Sequence, residues 1–237
     1  MIEIIKKIHT LRGIKKDFKN LTQVVLIFKR SKLIKEYFRT HNIAKLHLGS
    51  NLTLVEGWLC SDIMPKNKQC IILDVTKKFP FNDNTFDYIY CEHLIEHLNL
   101  KEGMFMLKEC FRVLRRNGHI RIATPDLEII LRLFSERDQH FGTEYIHWIT
   151  DNFIPEMKKY DPVIAVNTTF HNWGHQFLYD FTFLKEVLTT CGYSEIERCA
   201  YNRSSDSNLQ NIERHHKNVG NLSMVEFETF IAEAVKK

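Results

Sequence analysis

Glycine and proline are scarce in this chain, nine and five among 237 residues, which excludes a collagenous or linker-rich protein. Long apolar runs are missing too. The longest near the start, Val24-Val25-Leu26-Ile27-Phe28, falls far short of the ~18 residues that a membrane-spanning helix needs. A secretory leader is not expected, because Lys6, Lys7, Arg12, Lys15 and Lys16 interrupt the first apolar residues. A cytoplasmic protein is the expectation. Six cysteines are present, but none forms a C-x-x-C pair, so a zinc ribbon or redox dithiol lacks its spacing. Buried free thiols are expected instead. No internal repeat and no low-complexity segment is visible.

What is present is a core-forming composition: 44% hydrophobic and 26% charged residues. Charge is uneven along it. Residues 1–40 carry a net +8 in a chain whose total is +4, which leaves −4 for the rest. A basic arm of this kind suits an anionic partner such as a membrane surface, and no nucleic-acid motif accompanies it. Within it Ile4, Ile5, Ile8, Leu11, Ile14, Phe18 and Leu21 recur at helical spacing. The spacing predicts a helical N-terminal extension, 1–40, with breaks near Gly13 and Arg30-Ser31.

From Lys45 the pattern turns strand-like. Leu46–Leu48, Trp58–Ile63, Cys70–Val75, Phe86–Cys91 and His119–Thr124 are five candidate strands. A helix over Lys101–Leu114 is expected to stop at Asn117-Gly118. Alternating elements of this kind predict a doubly wound α/β sheet. Residues 126–180 read as an insertion after the fifth strand. A helix over Phe183–Thr190 and a strand over Glu195–Tyr201 follow, within a domain spanning 41–215, and 216–237 reads as a helical tail.

Open α/β sheets bind ligands beyond the carboxyl ends of their strands. Gly49 follows the first strand, where a backbone without a Cβ admits close approach. Asp62 ends the second, where an acid can accept from both ribose hydroxyls, and Asp74 lies late in the third. Strand four leads into Cys91-Glu92-His93, and strand five into Thr124-Pro125-Asp126.

These segments resemble a known family. Leu46-His47-Leu48-Gly49, Gly57-Trp58 and Asp62 are similar to the first motif of class I S-adenosylmethionine-dependent methyltransferases. Phe79–Asp87 followed by Glu92–His97, and Leu107–Gly118, resemble that family's segments around its fourth and fifth strands. Thr124–Leu127 and the later His175, Tyr179, Leu184 and Gly192-Tyr193 are similar to a subgroup often associated with surface-glycan assembly. The resemblance covers roughly 45–215 and implies a Rossmann-like, seven-stranded methyltransferase sheet binding S-adenosylmethionine. By it Gly49 lies under the cofactor, Asp62 binds the ribose, Asp74 contacts the adenine, and Glu92 and His93 flank the cofactor. The acceptor implied is a small molecule or saccharide, methylated at oxygen, with polysaccharide biosynthesis as the setting.

A hydroxyl acceptor needs a base near neutral pKa, and histidine suits that task. The candidates are His97, His171 and His175, with Asp126 as an alternative. In one respect the sequence departs from the family: Gly49-Ser50-Asn51 stands where G-x-G is usual. Asn tolerates left-handed backbone angles, but its side chain can crowd the cofactor. A non-catalytic binding or scaffold protein on the same fold is therefore the alternative. Two rival motifs are weaker. His93-Leu94-Ile95-Glu96-His97 matches H-x-x-E-H, whose histidines can share a metal on a helix, but no third ligand is evident and no metal is expected. A nicotinamide site would need G-x-G-x-x-G, which is missing two of its glycines.

Overall fold

The computed structural model describes residues 29–157 and 159–237. The arm's first 28 residues, Gly13 included, lie outside the described residues. Residues 29–40 are helical (α1) and run through Arg30-Ser31 without the expected break. Leu33, Ile34 and Tyr37 share one face of α1 and pack into the main core. The Tyr37 hydroxyl accepts from Lys45 N at 2.7 Å and lies 3.0 Å from the carbonyls of Lys45 and Gly57. That contact anchors the helix to the first strand and to the loop before the second.

Seven strands form one sheet: β1 (Lys45–Leu48), β2 (Leu59–Asp62), β3 (Ile71–Ile72), β4 (Phe86–Glu92), β5 (Leu114–Pro125), β6 (Ser194–Cys199) and β7 (Thr229–Val235). Their order is β3-β2-β1-β4-β5-β7-β6. All neighbours are parallel except β7, which runs antiparallel to both β5 and β6. The sheet is the seven-stranded Rossmann-like architecture that the strand pattern and the resemblance imply. Alternation along the central strands divides its two faces. Leu46, Leu48, Ile89 and Cys91 enter the main core on one side, while Tyr88 and Tyr90 pack with Trp58, Val55, Leu209 and Ile212 on the other.

Several elements differ from the sequence pattern. No helix separates β1, β2, β3 and β4 among the described residues, so those crossovers are made by coil. Within Cys70–Val75 only Ile71–Ile72 pairs. The helix α2 (Leu100–Val113) is capped by Asn99, whose side chain accepts from Glu102 N at 3.0 Å. It ends before Leu114, not at Asn117-Gly118. Those two residues belong to β5, where the pairing shifts between Phe86 and Tyr88 and the extra residues protrude. The C-terminal segment is not wholly helical. After α7 (His215–Val219) and α8 (Leu222–Glu228), β7 enters the sheet between β5 and β6. The cysteines also differ: Cys60 and Cys70 are joined as a disulfide, with Cα atoms 4.7 Å apart. The register that places Ser61 beside Ile71 puts these two residues side by side. Cys91, Cys110 and Cys191 are free and buried, as expected.

After β5 the chain leaves the sheet as α3 (Leu127–Ser135), α4 (Thr143–Phe153) and α5 (Pro162–His171). These helices and α8 share a separate apolar cluster, with Ile130, Leu133, Tyr145, Ile149 and Met224 at its centre. Then α6 (Phe181–Thr190) returns to the main core through Leu184, Val187 and Leu188.

A buried ion cluster ties the antiparallel end together. Arg121 on β5 is fully enclosed, opposite Glu233 on β7, which it contacts through Nη1. Its Nε donates to Glu213 at 2.5 Å, and Ser204 Oγ donates to the other Glu233 oxygen at 3.0 Å. Replacing Arg121 with Leu leaves two enclosed carboxylates without their cation. That change should destabilise the fold by about 3–5 kcal/mol, measured by urea denaturation of the variant against the parent.

Candidate functional site

The chain runs from β1 to β2 on one side and returns to β4 on the other side of β1, so the strand order diverges at the β1–β4 boundary. Side chains beyond the carboxyl ends of a parallel sheet part company there and leave a crevice. A cavity of about 220 Å³ occupies this place. Gly49 and Asn51 after β1, Glu92 and His93 at the tip of β4, and Pro125 at the end of β5 line it. The inserted segment closes the opposite wall with Trp148, Phe153, Trp173 and His175, and α7 and α8 add His215 and Glu228.

The turn after β1 keeps its shape without a second glycine. Gly49 has φ +65° and Asn51 φ 46°, and a Cβ on Gly49 would meet Leu94 at 2.9 Å. The Asp62 carboxylate holds the turn in place: Oδ2 accepts from Asn51 N at 3.0 Å and Oδ1 from Met64 N at 2.8 Å.

At the tip of β4, Glu92 is buried and accepts from Arg214 N at 2.8 Å and from the Tyr201 hydroxyl at 3.3 Å. His93 takes φ 47°, which turns the chain into a 3₁₀ turn, Ile95–His97. His93 therefore parts from His97. Its ring stacks on His215 at 3.8 Å, and its Nδ1 lies 3.3 Å from Glu96 Oε1. The helical H-x-x-E-H geometry is not formed, because one 3₁₀ turn after a left-handed residue cannot bring the two histidines to a common face. Burial disfavours charge on His93, yet the adjacent Glu96 carboxylate, with Glu228 and Glu92 behind, outweighs it and raises the pKa. Burial likewise opposes the Glu96 charge, and His93 outweighs it, holding the carboxyl below its usual range.

His97 and His175 meet edge-on with ring centroids 5.0 Å apart. The His175 Nδ1 lies 2.6 Å from the Thr169 carbonyl, which can only accept, so Nδ1 carries the proton and Nε2 has a free lone pair. Burial lowers the His175 pKa despite Glu96.

Of the residues singled out in the sequence, the structure brings Gly49, Glu92, His93, His97 and His175 together around the cavity. Asp62 and Asp74 lie at the carboxyl ends of the adjacent β2 and β3, outside the lining. Asp74 accepts from Thr76 Oγ1 at 2.6 Å and pairs with Lys77 at 2.8 Å. Asp126 is the N-cap of α3, accepting from Glu128 N at 3.0 Å and paired with Arg198 at 2.6 Å. Those partners occupy it as a structural group. His171 is exposed at the end of α5, away from the lining. His47, His215, Glu228 and Trp148 were not singled out. The first is an inward position of a strand and the others sit in helices, where only tertiary packing aims them at the crevice.

Residues 56–122 match the model of a methyltransferase domain family, a stretch that runs from the loop before β2 into β5. No curated protein is significantly similar to the chain. Among solved structures, the chain is similar to a SAM-dependent methyltransferase from Archaeoglobus fulgidus at 13% identity, with 89% of this chain and 94% of that one covered and a TM-score of 0.48. A SAM-dependent methyltransferase from Aquifex aeolicus shares 14% identity over 88% and 89% of the two chains, with a TM-score of 0.43. Haemonchus contortus phosphoethanolamine N-methyltransferase 2, solved with S-adenosyl-L-methionine, shares 11% over 87% of this chain and 52% of its own, with a TM-score of 0.47.

The cavity wall also carries a pH dependence. His47 is enclosed against Tyr90, its Nδ1 has no hydrogen-bond partner, and burial lowers its pKa to about 3. An unfolded chain protonates this imidazole near pH 6.5, so acid favours unfolding from there downward. The slope contributed by His47 is about 1.4 kcal/mol per pH unit. Burial of His215, pushed to about 3 as well, adds a term of the same sign. His47→Gln should lose less stability between pH 7 and pH 5 than the parent, as read by urea midpoints at the two values.

Proposed function

We propose that the protein is an S-adenosylmethionine-dependent methyltransferase acting at a hydroxyl of a small molecule or saccharide. One observation carries this reading. The cavity sits at the divergence of the strand order and is lined by the carboxylates Glu92 and Glu228, with no lysine or arginine among the described lining residues. A sulfonium cation is attracted to such a wall, whereas the pyrophosphate of a dinucleotide would meet like charge. The match of residues 56–122 to a methyltransferase domain supports the same chemistry.

In this reading Gly49, Asp62 and Asp74, at or just after the ends of β1, β2 and β3, would hold the adenosyl part. Asp62 already accepts two backbone amides, and an ionised carboxylate has about four lone-pair sites, which leaves room for ribose hydroxyls. Glu92 and His93 would border the sulfonium end. The acceptor enters against Trp148, Phe153 and Trp173, whose flat faces suit the C–H side of a sugar ring or an apolar ring. When bound, S-adenosylmethionine would supply an activated methyl group for the acceptor oxygen, with a neutral thioether as the leaving group. The acceptor's proton departs on the side of His97 and His175. In-line alignment alone supplies about 7–11 kcal/mol.

The other reading, a non-catalytic scaffold on this fold, is favoured by Ser50-Asn51 in place of a second small residue. Calorimetric titration with S-adenosylmethionine and S-adenosylhomocysteine separates the two. Micromolar binding is the expected result, and no heat at millimolar ligand would leave the scaffold. Asp62→Ala should cost about 1–3 kcal/mol of cofactor affinity. His175→Ala should spare cofactor binding and lower turnover by roughly 10²–10⁴-fold, measured as S-adenosylhomocysteine release once an acceptor is found. The basic charge of residues 1–40 supports docking at an anionic membrane surface; co-sedimentation with anionic vesicles at low salt, lost on deletion of residues 1–28 with the packed α1 kept, checks it.

A further inference from the structure

We propose that Glu96, His97 and His175 form a binding site for a divalent transition-metal ion of the zinc class, open on its cavity side. One donor atom from each residue lies within 4.8 Å of the others. Two imidazole nitrogens and one carboxylate with a fourth position open is the donor set of catalytic zinc sites, and nitrogen ligands disfavour magnesium or calcium.

Four observations beyond proximity support the site. Glu96 is fully enclosed, and while its Oε2 accepts from Thr124 Oγ1 at 3.0 Å, its Oε1 has no hydrogen-bond partner. His93 Nδ1, at 3.3 Å, is near enough for charge attraction without hydrogen-bond geometry. The His175 ring is oriented from behind by the Thr169 carbonyl, which leaves Nε2 as the ligating atom, the usual outer support of a metal-bound histidine. The two halves of the site are also fastened together by the main chain. Gln176 N and Phe177 N donate to the Glu96 carbonyl at 2.7 and 3.2 Å, and the Gln176 side chain donates to the His97 carbonyl at 2.7 Å. Left-handed Trp173 and Gly174, φ 58° and 85°, make the bend that brings His175 there. Finally, the lining holds no lysine or arginine among the described residues.

The neighbouring group of His93, His215 and Glu228 is a poorer site. Its two imidazoles stack with planes 16° apart, so their in-plane lone pairs run parallel and do not converge. Thr229 Oγ1, 3.1 Å from His93 Nε2, engages one nitrogen, and Glu96 faces the other. The site itself stands on geometry; its role rests on the methyl-transfer reading. There, an ion at this place takes the acceptor hydroxyl in its open position and makes it acidic enough to release its proton to water at the cavity mouth, so that His97 and His175 act as ligands in place of bases and the turnover loss in His175→Ala becomes loss of the ion.

The test uses full-length protein stripped with a chelator and titrated with zinc chloride, and separately with cobalt chloride. The expected result is one zinc per chain by elemental analysis, and a visible cobalt absorption typical of four- or five-coordination. His175→Gln, His97→Asn and Glu96→Gln should each weaken binding by at least 10–100-fold, while His215→Gln keeps it. Circular dichroism of each variant establishes folding. His97→Asn, at a half-buried position, serves if the enclosed Glu96 variant does not fold. Substoichiometric zinc in the parent, or loss on His215→Gln with retention in His175→Gln, overturns the proposal. Stoichiometric zinc without S-adenosylmethionine binding would keep the site and remove the methyl-transfer role. Cofactor binding without zinc would do the reverse.

Discussion

A carboxylate with no exposure to water has to be answered from within the protein, and Glu96 imposes that constraint here. Thr124 at the end of β5 supplies one hydrogen bond, and His93 supplies the opposing charge. His93 does so from the left-handed backbone region, where β4 ends and the chain turns toward the 3₁₀ turn. The Glu96 carbonyl in turn receives two amides from the segment after α5. One buried acid thus knits the tips of β4 and β5 to the inserted helices, and the cavity forms where those parts meet.

The inserted helices are more than decoration of the sheet. Their apolar cluster, centred on Tyr145 and Ile149, is separate from the main core and includes Met224 of α8. Tyr145 donates to Glu228, which lines the cavity. The aromatic wall and the acid beside it are therefore carried by a small helical layer with its own packing. Changes in that layer can reshape the acceptor side while leaving the turn around Gly49 untouched. On the opposite side, coil crossovers between β1 and β4 leave the Asp62-held turn as the ordering device for the strand tips.

Much of the central sheet was legible in the residues. The candidate strands Phe86–Cys91 and His119–Thr124 locate β4 and β5 to within a few residues, and the helix expected over Lys101–Leu114 matches α2 to one residue at either end. Asn117-Gly118 misled as a helix stop because the same residues also serve where a strand protrudes. β7 was missed for a different reason. Its residues Phe230 through Val235 are buried on both faces between two neighbours, so they show no alternation to distinguish a strand from a buried helix. The disulfide depended on a register between β2 and β3 that ten residues of separation do not disclose.

By itself the sequence determined which residues follow the strands, because glycine, acid and histidine placed just after apolar runs are local features that strand termination exposes. Gly49, Glu92, His93 and Asp62 were accessible on that basis, and so was the basic bias of the arm. Only the tertiary structure decided which histidines meet. His93 turns toward His215 and His97 toward His175, across 78 residues of chain, because a left-handed residue and a single 3₁₀ turn redirect the backbone between them. Such a pairing depends on how an inserted segment docks on a strand tip, and docking is fixed by packing and main-chain hydrogen bonds that no local pattern records.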